Sequence, residues 1–264
     1  MSPRMKNAPV YFTIAQVRFN PILSLATFIP GIQENLRKHG FADFKKAVAM
    51  TFTFPPVVNK EAESQVPPAQ PVERFLFADT ENTQNFILEH GALSFQSTKY
   101  EVFEKFSDEL MKGVELLDQM VGGLSFVERI GLRYLDAVVP RAGENLSQYL
   151  IPEALGLYGR LKGQTKHTFS ETMAESSEGS VISRAIIQEG QIGFPPDLLL
   201  NQPKIAQSFT SFNGVHAILD TDAFLAERIP FDVSEVKKRL GALHDRINEV
   251  FRALVTQHAL DAWK

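Results

Sequence analysis

The stretch Thr98-Lys99-Tyr100-Glu101-Val102-Phe103-Glu104-Lys105-Phe106, continuing through Leu110, Val114, Leu117 and Val121 to Gly122-Gly123, decides the fold. Its apolar residues Phe103, Phe106, Leu110, Val114, Leu117 and Val121 are spaced 3, 4, 4, 3 and 4 apart, which draws one stripe along a helix that is polar elsewhere. Thr98 and Glu101 read as a capping box that starts the helix. Gly122 and Gly123 supply the left-handed residues that stop it. Such a helix must lay its stripe on an apolar surface, and the segments on either side of it alternate in the manner of strands.

Upstream, Val10 to Phe19 sets Thr13, Ala15, Val17 and Phe19 on one side and Phe12, Ile14, Gln16 and Arg18 on the other. A short helix follows, with Pro30 in its first turn, Ile32 and Leu36 on one face and Gly40 at its end. Ala47 to Phe54 resumes strand character. Phe75 to Ala78, Phe86 to Glu89 and Leu93 to Gln96 read as an antiparallel meander, punctuated by Thr80-Glu81-Asn82 and His90-Gly91. Between them, five of the 15 prolines fall at positions 55–71, which reads as a mobile loop.

Downstream the order begins again. Phe126 to Val139 is a strand, Asn145 to Leu155 a short helix, and Lys166 to Ala174 and Val181 to Glu189 are strands joined by Ser176-Ser177-Glu178-Gly179. A second proline-bearing loop spans 191–211, and Val215 to Thr221 is the next strand. The last long helix has Asp232 as cap, Glu235 to return the bond and Phe231 to staple Val236. Its stripe is Val236, Leu240, Leu243, Ile247, Val250 and Leu254.

The two halves therefore share one plan, and Val17-Arg18-Phe19 matches Leu132-Arg133-Tyr134. The expected architecture is α+β: an internally duplicated antiparallel sheet with two long amphipathic helices packed on one face. Residues 1–123 form the first repeat and 124–264 the second, fused into one unit. If Val17, Phe19, Ile130, Leu132 and Tyr134 face the helices, Arg18, Arg129 and Arg133 face the other way, with Phe12, Ile14 and Gly131. These arginines either bridge to strand carboxylates such as Glu171 or Glu189, or line a binding face. There guanidinium groups would hold the carboxylate or phosphate of a partner. Arg18, Arg129, Arg133 and Phe12 are the candidate binding residues.

Composition removes several chemistries. With 264 residues the chain can bury a full core without staples, and with no cysteine it has neither disulfides nor thiolate sites. A net charge of −4 provides no basic field for nucleic acid. No apolar run approaches the ~18 residues that would span a bilayer, and no leader is seen, so a cytoplasmic location is expected. There is no phosphate-binding GxxxxGK[ST] or GxGxxG loop, no HExxH among the six histidines and no GxSxG elbow. No cofactor is implied. His244, beside the apolar stripe, reads as a half-buried, hydrogen-bonded residue. Asp220 and Asp222, read at a strand end, are the weak candidates for a metal. Most of the 21 phenylalanines sit at core positions.

Three stretches taken together resemble a sporadically distributed, uncharacterised bacterial protein family of about this length. They are Asn7-Ala8-Pro9-Val10 leading to Val17-Arg18-Phe19-Asn20-Pro21, Arg129-Ile130-Gly131-Leu132-Arg133-Tyr134, and Leu240 to Thr256 with Leu243-His244-Asp245 and Phe251. Thr98-Lys99-Tyr100-Glu101 followed by Phe103 fits the same pattern. Leu135-Asp136 stands where the family pattern has asparagine. The resemblance implies a stand-alone accessory protein of the kind found among phage-defence genes, and transfers no catalytic residue. The leading expectation is a non-enzymatic protein-binding component, an adaptor or immunity partner, engaging another protein or a second copy of itself. Two alternatives remain open. One is a metal-dependent hydrolase or nuclease assembled from Asp220, Asp222, Glu171 or His167. The other is a chaperone-like binder of extended peptides.

Overall fold

Strand β1 (Val10–Phe19) runs through the middle of an antiparallel sheet, since residues on both its sides are apolar enough to be covered. The computed structural model describes residues 7–51, 70–198 and 201–264. After β1 come α1 (Leu25–Lys38), β2 (Asp43–Thr51), β3 (Gln70–Ala78), β4 (Gln84–Glu89), β5 (Ala92–Ser97) and α2 (Phe103–Val121). They are followed by β6 (Phe126–Val138), the single turns α3 (Leu146–Tyr149) and α4 (Pro152–Leu155), β7 (His167–Ser176), β8 (Gly179–Gln191) and α5 (Gln207–Thr210). The chain closes with β9 (Asn213–Leu225), β10 (Ile229–Pro230), α6 (Val233–Leu254) and α7 (Gln257–Ala262). The ten strands make one sheet in the order β2-β3-β4-β5-β1-β6-β9-β8-β7, with β10 paired to β6. The mixed α+β class and the antiparallel meander of β3, β4 and β5 agree with the sequence reading.

On the first face, Ala15, Val17, Phe19, Ile130, Leu132 and Tyr134 join a single apolar cluster with Leu110, Val114 and Leu117 of α2 and Val236, Leu240 and Leu243 of α6. Helix α1 adds Ile29, Ile32 and Leu36. A neighbouring cluster gathers α3, α4 and α7 around Tyr149 and Trp263.

Several local expectations are corrected. Helix α2 begins at Phe103 with Val102 as an uncapped N-cap, and Thr98 instead donates to the carbonyls of Thr83 and Lys204. A hydroxyl five residues before the first residue of a helix satisfies strand and loop carbonyls when these lie nearer than the helix amides. Pro30 lies inside α1, which starts five residues earlier, at Leu25. Asn145 to Leu155 divides into α3 and α4 because Pro152 restarts the helix. At α6, Asp232 accepts from the Glu235 amide as expected, while the Glu235 carboxylate turns to Arg239 at 2.7 Å. Of the loop expected at 55–71, residues 55–69 lie outside the described residues, and 70–71 begin β3.

The stretch 191–211 is more than a connector. Its Ile192 is buried, and Phe194, Leu198, Ile205 and Phe209 pack with Phe212 over Tyr11, Phe12, Leu135, Ala137 and Ile218 on the second face of the sheet. Sequence reading followed its proline and glycine; burial followed its apolar residues.

Candidate functional site

Strands β1, β6, β9 and β8 present Arg18, Arg129, Arg133 and Arg184 on the second face, with Asp220 and Asp222 between them. The register fixes this placement. Arg18 is the partner of Arg129, Arg133 of Asp222, and Arg184 of Asp220, and partners across a ladder share a face.

Two of these arginines are saturated. Arg133 donates through Nε and Nη2 to the two carboxylate oxygens of Asp220, both at 2.7 Å, and through Nη1 to Asp197 at 2.5 Å. Burial would depress its pKa, but Asp220 and Asp197 more than offset that and hold the guanidinium charged. Arg184 spans Glu171 at 2.6 Å and Asp220 at 3.3 Å. Asp220 is fully buried and accepts three of these hydrogen bonds, two from Arg133 and one from Arg184. It therefore offers nothing to a metal, and it lies within β9, not at a strand end. No group of three or more metal-capable side chains occurs among the described residues. The Arg133 partners are thus Asp220 and Asp197, not the Glu171 or Glu189 read from sequence; Glu189 accepts from Gln164.

The other two are not saturated. Arg18 is exposed, and neither it nor Arg129 forms an ion pair or hydrogen bond with a carboxylate among the described residues. Arg129 lies over Gly131, where an added Cβ would come 2.7 Å from its Nη1, and its guanidinium sits 4.7 Å from the ring centre of Phe224. Burial lowers the pKa of Arg129; Asp222 opposes that and Arg18 adds to it. Burial likewise raises the pKa of Asp222, against Arg129 and Arg133. Together Arg129, Arg133 and Asp222 line a shallow cleft of about 120 Å³ with Ile14, Gln16 and Leu198. Like charges directly opposite on a sheet repel, so Arg18 and Arg129 form a paired cationic spot suited to an anion that bridges them.

Phe12, the fourth candidate, is fully buried beneath Phe194, at 5.0 Å between ring centres, and is closed to a ligand. His167 is exposed at the start of β7, four residues before Glu171 and on the same side of the strand. A site built from His167, Glu171, Asp220 and Asp222 is therefore drawn to one face, but Arg184 ties up two of its carboxylates. Comparison with protein-family models, curated proteins and solved structures gives no match.

Proposed function

We propose that the chain is a non-enzymatic binding protein, an accessory or adaptor component, whose second sheet face receives an acidic segment of a partner protein between Arg18 and Arg129. The observation that carries this reading is the contrast on one face. Arg133 and Arg184 are each tied to two carboxylates, while the facing pair Arg18 and Arg129 has none among the described residues. The saturated pair holds the strands and the Leu198 segment in place. The unsaturated pair is left for a bidentate contact with an incoming carboxylate. Ile14 and Leu198 add an apolar flank for the neighbouring side chain.

Strand order supports the internal duplication as part of this proposal. The first strand of each half, β1 or β6, pairs with the last long strand before that half's long helix, β5 or β9, the two-residue β10 aside, and β1 and β6 meet at the centre. On this reading the residues around Arg18 and Arg129 lie near the pseudo-twofold join, where two equivalent strands bring their charges together.

The test is fluorescence anisotropy with a labelled glutamate-rich decapeptide and its glutamine counterpart. Wild type is expected to bind the acidic peptide at least tenfold more tightly than the neutral one, and to lose this preference in 0.5 M salt, where the screening length falls to ~4 Å. Arg18→Glu/Arg129→Glu is expected to lose the preference in low salt as well. Equal affinity for the two peptides contradicts the proposal.

A second reading, strand addition, is favoured by β7. This ten-residue strand pairs only with β8 among the described residues, and it exposes Phe169 at 56% and Met173 at 54% on the same side. It predicts that Phe169→Lys abolishes peptide binding while the arginine pair is dispensable.

A further inference from the structure

On the opposite face, where β6 meets α6, a carboxyl group has no partner among the described residues. Asp136 is 7% exposed, its register places it on the same side as Leu132 and Tyr134, and it accepts no hydrogen bond among the described residues. It opens into a cavity of about 130 Å³ also lined by Tyr100, Tyr134, His244, Asn248 and Arg252. A buried carboxyl group left without donors is costly.

The other polar groups form an ordered chain. Asn248 Nδ2 lies 2.9 Å from His244 Nε2, His244 Nδ1 lies 3.2 Å from the Tyr134 hydroxyl, and Tyr134 donates to the Tyr100 hydroxyl at 3.0 Å. With the Asn248 amide as donor, His244 Nε2 accepts and Nδ1 carries the proton, so the chain is complete only with a neutral imidazole. Burial lowers the pKa of His244, in agreement with this, and the ring is stacked on Phe103 at 4.0 Å between centres. The chain thus fixes the cavity wall and gives Asp136 no donor of its own.

We infer that this cavity is a binding site for a small protonated amine, with Asp136 as its counter-ion and the Tyr100 and Tyr134 side chains in its wall. A primary ammonium supplies the donors that the carboxylate lacks. The amine could belong to a free small molecule or to a lysine side chain, since both present the same head group. This site is separate from the arginine face and does not depend on the reading given to it.

Binding is expected to be linked to pH through Asp136, whose pKa burial alone raises to about 7. The other titratable groups beside it in the cavity include Tyr100, Tyr134 and His244. Burial raises Tyr100 to about 12 and raises Tyr134 and Tyr11 further. His244 is lowered below its ordinary value, against Asp245 and Glu104. Arg252, an exposed residue of α6 that also lines the cavity, has an interaction of its own.

The experiment is calorimetric titration of the full chain with n-butylamine, with n-butanol as the neutral isostere and an acetylated Gly-Lys-Gly amide as the lysine probe. At pH 8 the amine is expected to bind at least tenfold more tightly than the alcohol. Its affinity is expected to fall about tenfold at pH 6, as Asp136 takes up its proton. Asp136→Asn is expected to abolish the preference for the amine, and its thermal melt checks that it is folded. Binding of the lysine probe as well as the free amine points to a peptide source, and binding of the free amine alone to a small molecule. Equal binding of amine and alcohol, no binding of either, or an amine affinity unchanged between pH 6 and 8 in the wild type overturns the inference. The pH arm needs no variant, so it stands even if Asp136→Asn fails to fold.

Discussion

Replacing Arg133 with methionine removes the fork that holds Asp220, and the structure sets the size of the effect. Asp220 is fully buried and accepts from Arg133 twice at 2.7 Å, but from Arg184 only once, at 3.3 Å. Breaking a buried ion pair from one side costs about 3–5 kcal/mol, because the charge left behind cannot be rehydrated. The surviving Arg184 contact places Arg133→Met near the lower end, about 3 kcal/mol. Asp220→Leu costs less, about 2 kcal/mol on the same scale, since Arg133 keeps Asp197, whose carboxylate is 60% exposed. With both charges gone the site becomes an apolar contact, and the double variant is expected within about 1 kcal/mol of wild type. The coupling between the two sites is therefore at least about 4 kcal/mol. Urea unfolding followed by the fluorescence of the single tryptophan, Trp263, reads this without touching the site, because Trp263 lies in the cluster around Tyr149 and Phe251. A cost below about 1 kcal/mol for Arg133→Met, or a double variant no more stable than the singles, refutes the buried bridge. It would also refute the division of the arginines into saturated and open pairs.

Other outcomes follow from the same geometry. Asp136 has a folded-state pKa of about 7, above the ordinary carboxylate value, so its contribution to stability is full below pH ~4 and is lost as pH rises through 7; in urea melts Asp136→Asn should gain on wild type between pH 5 and 8, and a constant difference across that range contradicts this. Asp232→Ala removes the α6 cap and should cost about 1 kcal/mol in the same assay. Thr98→Ala should leave helix content unchanged by circular dichroism, because Thr98 tethers Thr83 and Lys204 and does not cap α2; a loss of helical signal would restore the capping box.

Long-range order was legible wherever period and parity were clean. The α2 and α6 stripes, the αL cap at Gly122 and the β3-β4-β5 meander all follow from local rules. The side on which Arg18, Arg129 and Arg133 lie followed from alternation alone, since the β1–β6 register is regular from Phe12 to Arg18. What those arginines touch did not follow. The pairing of Arg133 with Asp220 spans 87 positions and depends on β9 lying beside β6, which no local pattern specifies. The length of β9 was hidden because Asp220 and Asp222 look like turn residues until two guanidinium groups compensate them. Phe12 was misjudged for a related reason. Its cover, Phe194, comes from a stretch that Gly193 and Pro195 mark as a loop. Asp136 left one trace in the sequence, a carboxylate at a helix-facing parity position two residues after Tyr134, and that trace marks the cavity.

The central claim is that the open pair Arg18 and Arg129 captures an acidic partner. Its most direct measurement is affinity capture from the protein's own cells, read by quantitative mass spectrometry, with tagged wild type beside Arg18→Glu/Arg129→Glu. The account predicts one stoichiometric partner with an acidic segment, retained by wild type and lost from the charge-reversed variant while both melt at the same temperature. A partner retained equally by both proteins would contradict it and move the interface away from the arginine pair.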